Sequence, residues 1–130
     1  MLYSVLIVDD SALIRRLLRF VIEHNTEWRV CGEAENGKMA VEMVEELHPD
    51  MVILDFQMPV MNGLEAARQI TLIAPKTAMV MFTMHESPQL RNEAESVGIK
   101  DVISKSDGHL EYVIVSLRNV LGSALKQPAA

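Results

Sequence analysis

A chain of 130 residues, 49% of them apolar, is the size of one domain and can build a core without staples. Its formal charge of −6 argues against a nucleic-acid surface, which needs clustered Lys and Arg. A lone cysteine, Cys31, excludes an internal disulfide and fits a reducing compartment, and no run nears ~18 consecutive apolar residues, so no membrane span is expected.

The N-terminal residues 1–8 are apolar but short, lack a basic leader and meet two aspartates at once. They read as a strand, Val5–Val8, rather than a signal peptide, and a cytoplasmic location is expected. Ser11 is placed to cap the following helix, whose apolar stripe is Leu13, Ile14, Leu17, Leu18, Val21 and Ile22. Arg15, Arg16 and Arg19 lie off that stripe and read as a solvated face. A weaker strand covers Arg29–Ala34. Ala40, Val44 and Leu47 then mark a second helix, stopped by Pro49. Met51–Leu54 is a third strand, and Leu64, Ala67 and Ile70 mark a third helix ending before Pro75. Ala78–Phe82 is the fourth strand. Ser87 and Pro88 open a fourth helix, with Pro in its first turn, and Gly98 ends it. Asp101–Ser104 is the last strand, and Leu110, Val113, Ile114, Leu117 and Leu121 form the stripe of a fifth helix. Nothing reads as disordered before residues 126–130.

Short Val- and Ile-rich runs alternating with helical patterns predict an α/β fold: a doubly wound, five-stranded parallel sheet with right-handed crossovers. Sites in such sheets lie at the carboxyl ends of the strands. Asp9 and Asp10 follow the first strand, Asp55 the third, Thr83 the fourth and Lys105 the fifth. Taken singly these residues are ordinary. An Asp there often only caps a helix, a strand-end Thr is unremarkable, and a Lys is usually just solvated. Together they bring three carboxylates, a hydroxyl and an ammonium to one rim. Two like charges ~4 Å apart cost about 4 kcal/mol at an effective dielectric of 20. The crowding therefore calls for cations. Lys105 supplies one, and a divalent ion would supply the rest. Oxygen ligands without His or Cys favour Mg²⁺, with Mn²⁺ second. A carboxylate can act as a nucleophile and form an aspartyl phosphate, whose oxygens the metal and Lys105 neutralise while Thr83 donates a hydrogen bond. No Gly-rich nucleotide loop is present, so the donor must bring an activated phosphoryl group.

Four segments in order, Val5–Asp10, Val52–Gly63, Val80–Thr83 and Asp101–Lys105, resemble the receiver domains of bacterial two-component response regulators, single-domain chemotaxis regulators among them. The second segment is the most specific, because Asp55, Met58-Pro59 and Gly63 stand at the family's spacing. The resemblance implies a flavodoxin-like receiver fold with strand order 2-1-3-4-5, a receiver domain over 1–122, and a short tail or cut linker over 123–130. It implies Asp55 as phosphoacceptor and Asp10 as a direct ligand of Mg²⁺. Asp9 would reach the metal through water, and the backbone carbonyl of Gln57 would be a further ligand. Thr83 and Lys105 match the hydroxyl and ammonium that attend the phosphoryl group.

The function so implied is a phosphorelay switch. It takes a phosphoryl group from a histidine kinase or phosphotransfer protein and catalyses no reaction beyond its own phosphorylation and dephosphorylation. It then acts on a downstream protein or a C-terminal output domain through the surface of helix four, strand five and helix five, where a homodimer would also form. Three positions depart from the family. Val102 stands where an aromatic ring is common, Ser106 where a cis proline is common, and Met84 where a small residue is usual. They leave a second reading open, a receiver-fold interaction module that signals without phosphate. A phosphohydrolase is disfavoured because Gln57, not an acid, lies two residues after Asp55.

Overall fold

The computed structural model describes residues 2–107 and 110–126. In chain order the elements are β1 (Ser4–Val8), α1 (Ala12–Asn25), β2 (Arg29–Ala34), α2 (Gly37–Leu47), β3 (Met51–Leu54), α3 (Gly63–Ile73), β4 (Ala78–Thr83), α4 (Pro88–Ser96), β5 (Asp101–Ser104) and α5 (Glu111–Lys126), with a short 3-10 turn at Lys105–Asp107. All strand pairings are parallel, in the order β2-β1-β3-β4-β5. The expected fold and strand order are present.

Alternation along the strands splits the core into two layers. Val5 and Ile7 pack with Leu18 and Ile22 of α1 and Val113 and Leu117 of α5. Leu6 and Val8 face the other way, onto Ala40 and Val44 of α2, Ala66 and Ile70 of α3, and Leu90 and Ala94 of α4. Burial on both sheet faces explains why the strands read as unbroken apolar runs. The expected stripe of α1 is wider than the buried one: Leu18 and Ile22 are buried, whereas Leu13 and Leu17 are exposed.

Helix starts follow the local chemistry of their caps. Ser11, Asn36, Asn62 and Ser87 each accept a hydrogen bond from the backbone N–H three residues on. Pro88 occupies the first turn of α4, and Gly98, at φ +98°, follows that helix. The chain leaves α2 through His48 in the left-handed region, immediately before Pro49. Thr83 is the last residue of β4 rather than the first beyond it. Of the expected tail, 123–126 continue α5 and 127–130 lie outside the described residues.

Candidate functional site: a carboxylate rim bridged by a lysine

The sheet ladder continues one residue past two strands and so fixes where the acids stand. The Asp9 N–H donates to the Ala34 carbonyl at 3.0 Å, and the Asp55 N–H donates to the Val8 carbonyl at 3.0 Å. Oxygen atoms of Asp9, Asp10 and Asp55 lie within 4.8 Å of one another, with Asp9 and Asp55 buried and Asp10 exposed. Gly63 permits the approach of α3 to this point. A Cβ there would collide with the Asp55 carbonyl oxygen, and the Gly63 N–H donates to the Phe56 carbonyl at 2.8 Å.

Lys105 reaches across from the end of β5. Its Nζ donates to Asp9 Oδ2 at 2.7 Å and to Asp55 Oδ2 at 3.0 Å, and its side chain is only 10% exposed. The other oxygens are held by backbone. The Ser11 N–H donates to Asp9 Oδ1 at 2.9 Å, and the Phe56 N–H donates to Asp55 Oδ1 at 2.7 Å. The Phe82 ring lies beneath the ammonium, 5.8 Å from centroid to Nζ. Burial raises the Asp9 carboxyl above its ordinary value and outweighs the lowering by Lys105 and the Ser11 N–H. Burial alone would lower the Lys105 ammonium, but its hydrogen bonds to Asp9 and Asp55 prevail and raise it. One cation thus serves two buried acids, and the rim still has room for more positive charge. The donor set is all oxygen and opens to solvent on the Asp10 side, so it fits Mg²⁺, which keeps several waters and takes one or two carboxylates.

An open pocket of ≈ 450 Å³ meets the rim, lined by Asp10, Asp55, Gln57, Met58, Met84 and His85. Gln57 therefore faces the same space as the acids it was grouped with. Met84 is 60% exposed, so it borders the pocket rather than plugging it. Thr83 is fully buried, and its Oγ1 accepts the His85 N–H at 3.2 Å. That bond leaves the hydroxyl proton unassigned and ties the strand end to the loop that leads to α4. Val102 is buried against the α4 side of the sheet, and no cis peptide occurs among the described residues.

Sequence reasoning missed His85 and misread Arg15 and Arg19 here. His85 lines the pocket, and the available signal was its position two residues after Thr83 on the same loop. The reading of Arg15 and Arg19 as merely solvated needs correction. Both pair with Glu33 of β2, at 3.1 and 2.9 Å, and Arg15 Nη1 donates to the Asp9 carbonyl at 2.7 Å. No single-sequence signal links Arg15 to Glu33, because the pairing depends on how α1 crosses β2.

The family model for the response regulator receiver domain matches residues 5–112. The chain is 41% identical over 101 residues to the chemotaxis protein CheY of Thermotoga maritima, covering 78% of this chain and 83% of that protein. It is 36% identical over 125 residues to the transcriptional regulatory protein YdfI of Bacillus subtilis, covering 96% of this chain and 58% of YdfI. A protein-glutamate methylesterase/protein-glutamine glutaminase of Pyrococcus horikoshii is also 36% identical, with 97% of this chain covering 34% of its length. Among solved structures, the response regulator domain of Thermotoga maritima CheB superposes with a TM-score of 0.83 at 33% identity, covering 98% of this chain and 100% of that one. CheY in a Borrelia burgdorferi complex with CheX, BeF3 and Mg²⁺ gives a TM-score of 0.86 at 25% identity, over 92% of this chain and 89% of that one.

The chain belongs to the response regulator receiver family, the phosphoacceptor domains of two-component signalling. It spans only part of the two longer relatives, 58% of YdfI and 34% of the methylesterase. Among the described residues no helix is long and apolar enough to cross a membrane.

Proposed function

We propose that this chain is a cytoplasmic phosphorelay switch in which Asp55 accepts a phosphoryl group from the phosphohistidine of a histidine kinase or phosphotransfer protein. The observation that carries the reading is Lys105 Nζ bridging Asp9 and Asp55, at 2.7 and 3.0 Å, beside the open pocket. An Asp55 carboxylate oxygen attacks phosphorus, the P–N bond of the donor breaks, and the imidazole leaves with that electron pair. Phe56 N–H holds the other carboxylate oxygen and orients the attack. The Lys105 ammonium, which donates to Asp55 Oδ2, would neutralise an incoming phosphoryl oxygen. Thr83, whose Oγ1 accepts the His85 N–H, would turn its hydroxyl toward another.

Asp10 and Asp55, with the Gln57 carbonyl, would hold Mg²⁺, and Asp9 would act through water. The bound ion would screen the charge that builds up between carboxylates and phosphoryl oxygens. The receiver unit covers 1–122. Its output is a downstream protein or a further domain, reached through the flank of α4, β5 and α5, where a second copy would also dock.

Incubation with acetyl phosphate and Mg²⁺ tests this by intact mass. Wild type should gain one labile phosphoryl group, and Asp55→Ala should gain none. Persistent labelling of Asp55→Ala would mean that the nucleophile is another residue. An unlabelled wild type would favour a module that signals without phosphate.

A further inference from the structure

Arg15 closes the first turn of α1, near the end where the helix dipole disfavours a cation. A solvated arginine gains nothing there. This one is 17% exposed, and each end of its guanidinium has a fixed acceptor: Nε donates to Glu33 Oε1 at 3.1 Å and Nη1 to the Asp9 carbonyl at 2.7 Å. Glu33 is itself immobilised, because its second oxygen accepts Arg19 Nε at 2.9 Å. Next to Glu33, the Ala34 carbonyl accepts the Asp9 N–H at 3.0 Å. Both sides of Asp9's main chain are therefore tied to β2, one directly and one through Arg15. The Asp9 carbonyl shares a planar peptide unit with the Asp10 nitrogen, so fixing it fixes the plane from which Asp10 departs. Asp10 is the exposed member of the carboxylate rim and has the most freedom to lose.

We propose that Arg15, braced on Glu33, is a positioning residue that sets the metal affinity of this site by holding the Asp9–Asp10 peptide. The proposal rests on the metal-dependent phosphoacceptor reading above. It assigns Arg15 no contact with the ion or the phosphoryl group. Partners one step removed from a metal are commonly worth tenfold or more in affinity when they orient its ligands.

Arg19 provides the control. It makes the same kind of bond to Glu33 from the same helix but, among the described contacts, none to Asp9. Mg²⁺ titration by calorimetry, with a urea melt of each variant, decides. Arg15→Met should bind Mg²⁺ about tenfold more weakly, and Arg19→Met, which loosens Glu33 but leaves the Arg15–Asp9 bond in place, should weaken binding clearly less even where both lose similar stability. Glu33→Gln keeps the volume but removes the charge and leaves one acceptor oxygen for two arginines, so the brace is weakened and affinity should shift in the same direction as in Arg15→Met. It also serves as the second variant if Arg15→Met does not fold. Wild-type affinity in Arg15→Met or in Glu33→Gln overturns the proposal, as does equal weakening by Arg15→Met and Arg19→Met. Wild-type protein that binds no Mg²⁺ is a different result. It removes the metal-dependent reading itself, and this proposal with it.

Discussion

The polar groups around Asp55 and those on the flank of α4, β5 and α5 are built differently. At the rim, Asp9 and Asp55 are buried and held by local backbone N–H groups, and Lys105, its side chain 10% exposed, reaches from the end of β5 to bridge them. On the flank, a chain of contacts runs near the surface. Glu86, three residues after Thr83, pairs with Arg91 at 2.7 Å; Arg91 lies 3.7 Å from Asp101; and Asp101 accepts Ser116 Oγ at 2.6 Å. Arg91 is 48% exposed. Pairs of that kind are each worth about 0–1 kcal/mol, whereas breaking one partner out of a buried pair costs about 3–5 kcal/mol. The rim is thus held in one arrangement, while the flank can rearrange at a cost of only a few kcal/mol.

The largest effect should come from Lys105→Met, which leaves two buried carboxylates facing each other. Urea unfolding of the metal-free protein at pH 7 should show a loss of about 3 kcal/mol, and Mg²⁺ should restore part of it. The pH dependence has a definite sign. Asp9 is raised above its ordinary 3.8, so the unfolded chain ionises it first, and metal-free stability falls as pH climbs from there through the folded value. Lys105 is raised above 10.5, so its contribution is complete below that pH and is lost as pH rises through its folded value. Mg²⁺ should therefore stabilise more at pH 7 than at acid pH, where the Asp9 carboxyl is protonated. A Mg²⁺ effect that does not vary across that range would contradict the single-cation picture of the rim.

Gly63→Ala should cost about 2 kcal/mol, because the added methyl meets backbone of Asp55 rather than a side chain that can swing away. It should also weaken phosphoryl uptake by displacing the nucleophile. Asp10→Asn should abolish Mg²⁺ binding yet change metal-free stability by no more than about 0.5 kcal/mol, with a gain expected because Asp10 is exposed and one crowded charge is gone. Arg91→Ala should also be mild, below about 1 kcal/mol. Large destabilisation by Arg91→Ala would mean that the flank is as rigid as the rim.

The strands were nearly all legible, because a strand with both faces covered must be apolar throughout. Arg29–Ala34, Met51–Leu54 and Asp101–Ser104 begin and end where the sequence placed them. The rim was legible for a different reason: parallel topology alone delivers strand-end residues to one edge. The outer turns of α1 were not legible, since Leu13 and Leu17 have the right period and simply find nothing to cover them. Nor was Arg15, whose role depends on Glu33 and on a backbone carbonyl, and a carbonyl has no residue type to read. Met84 illustrates a smaller limit. Its size departs from the family, but size does not say where it stands: it is 60% exposed and lines the edge of the pocket beside Asp55.

Amide hydrogen exchange with and without BeF3 and Mg²⁺ tests the contrast between rim and flank most directly. With Asp55 shown to be occupied, protection should change over residues 84–90 and along α4, β5 and α5. Helices α1 and α2 should stay as they were beyond the metal site itself. Unchanged exchange over 84–90 in the occupied protein would contradict a switch that runs from Thr83 into that flank.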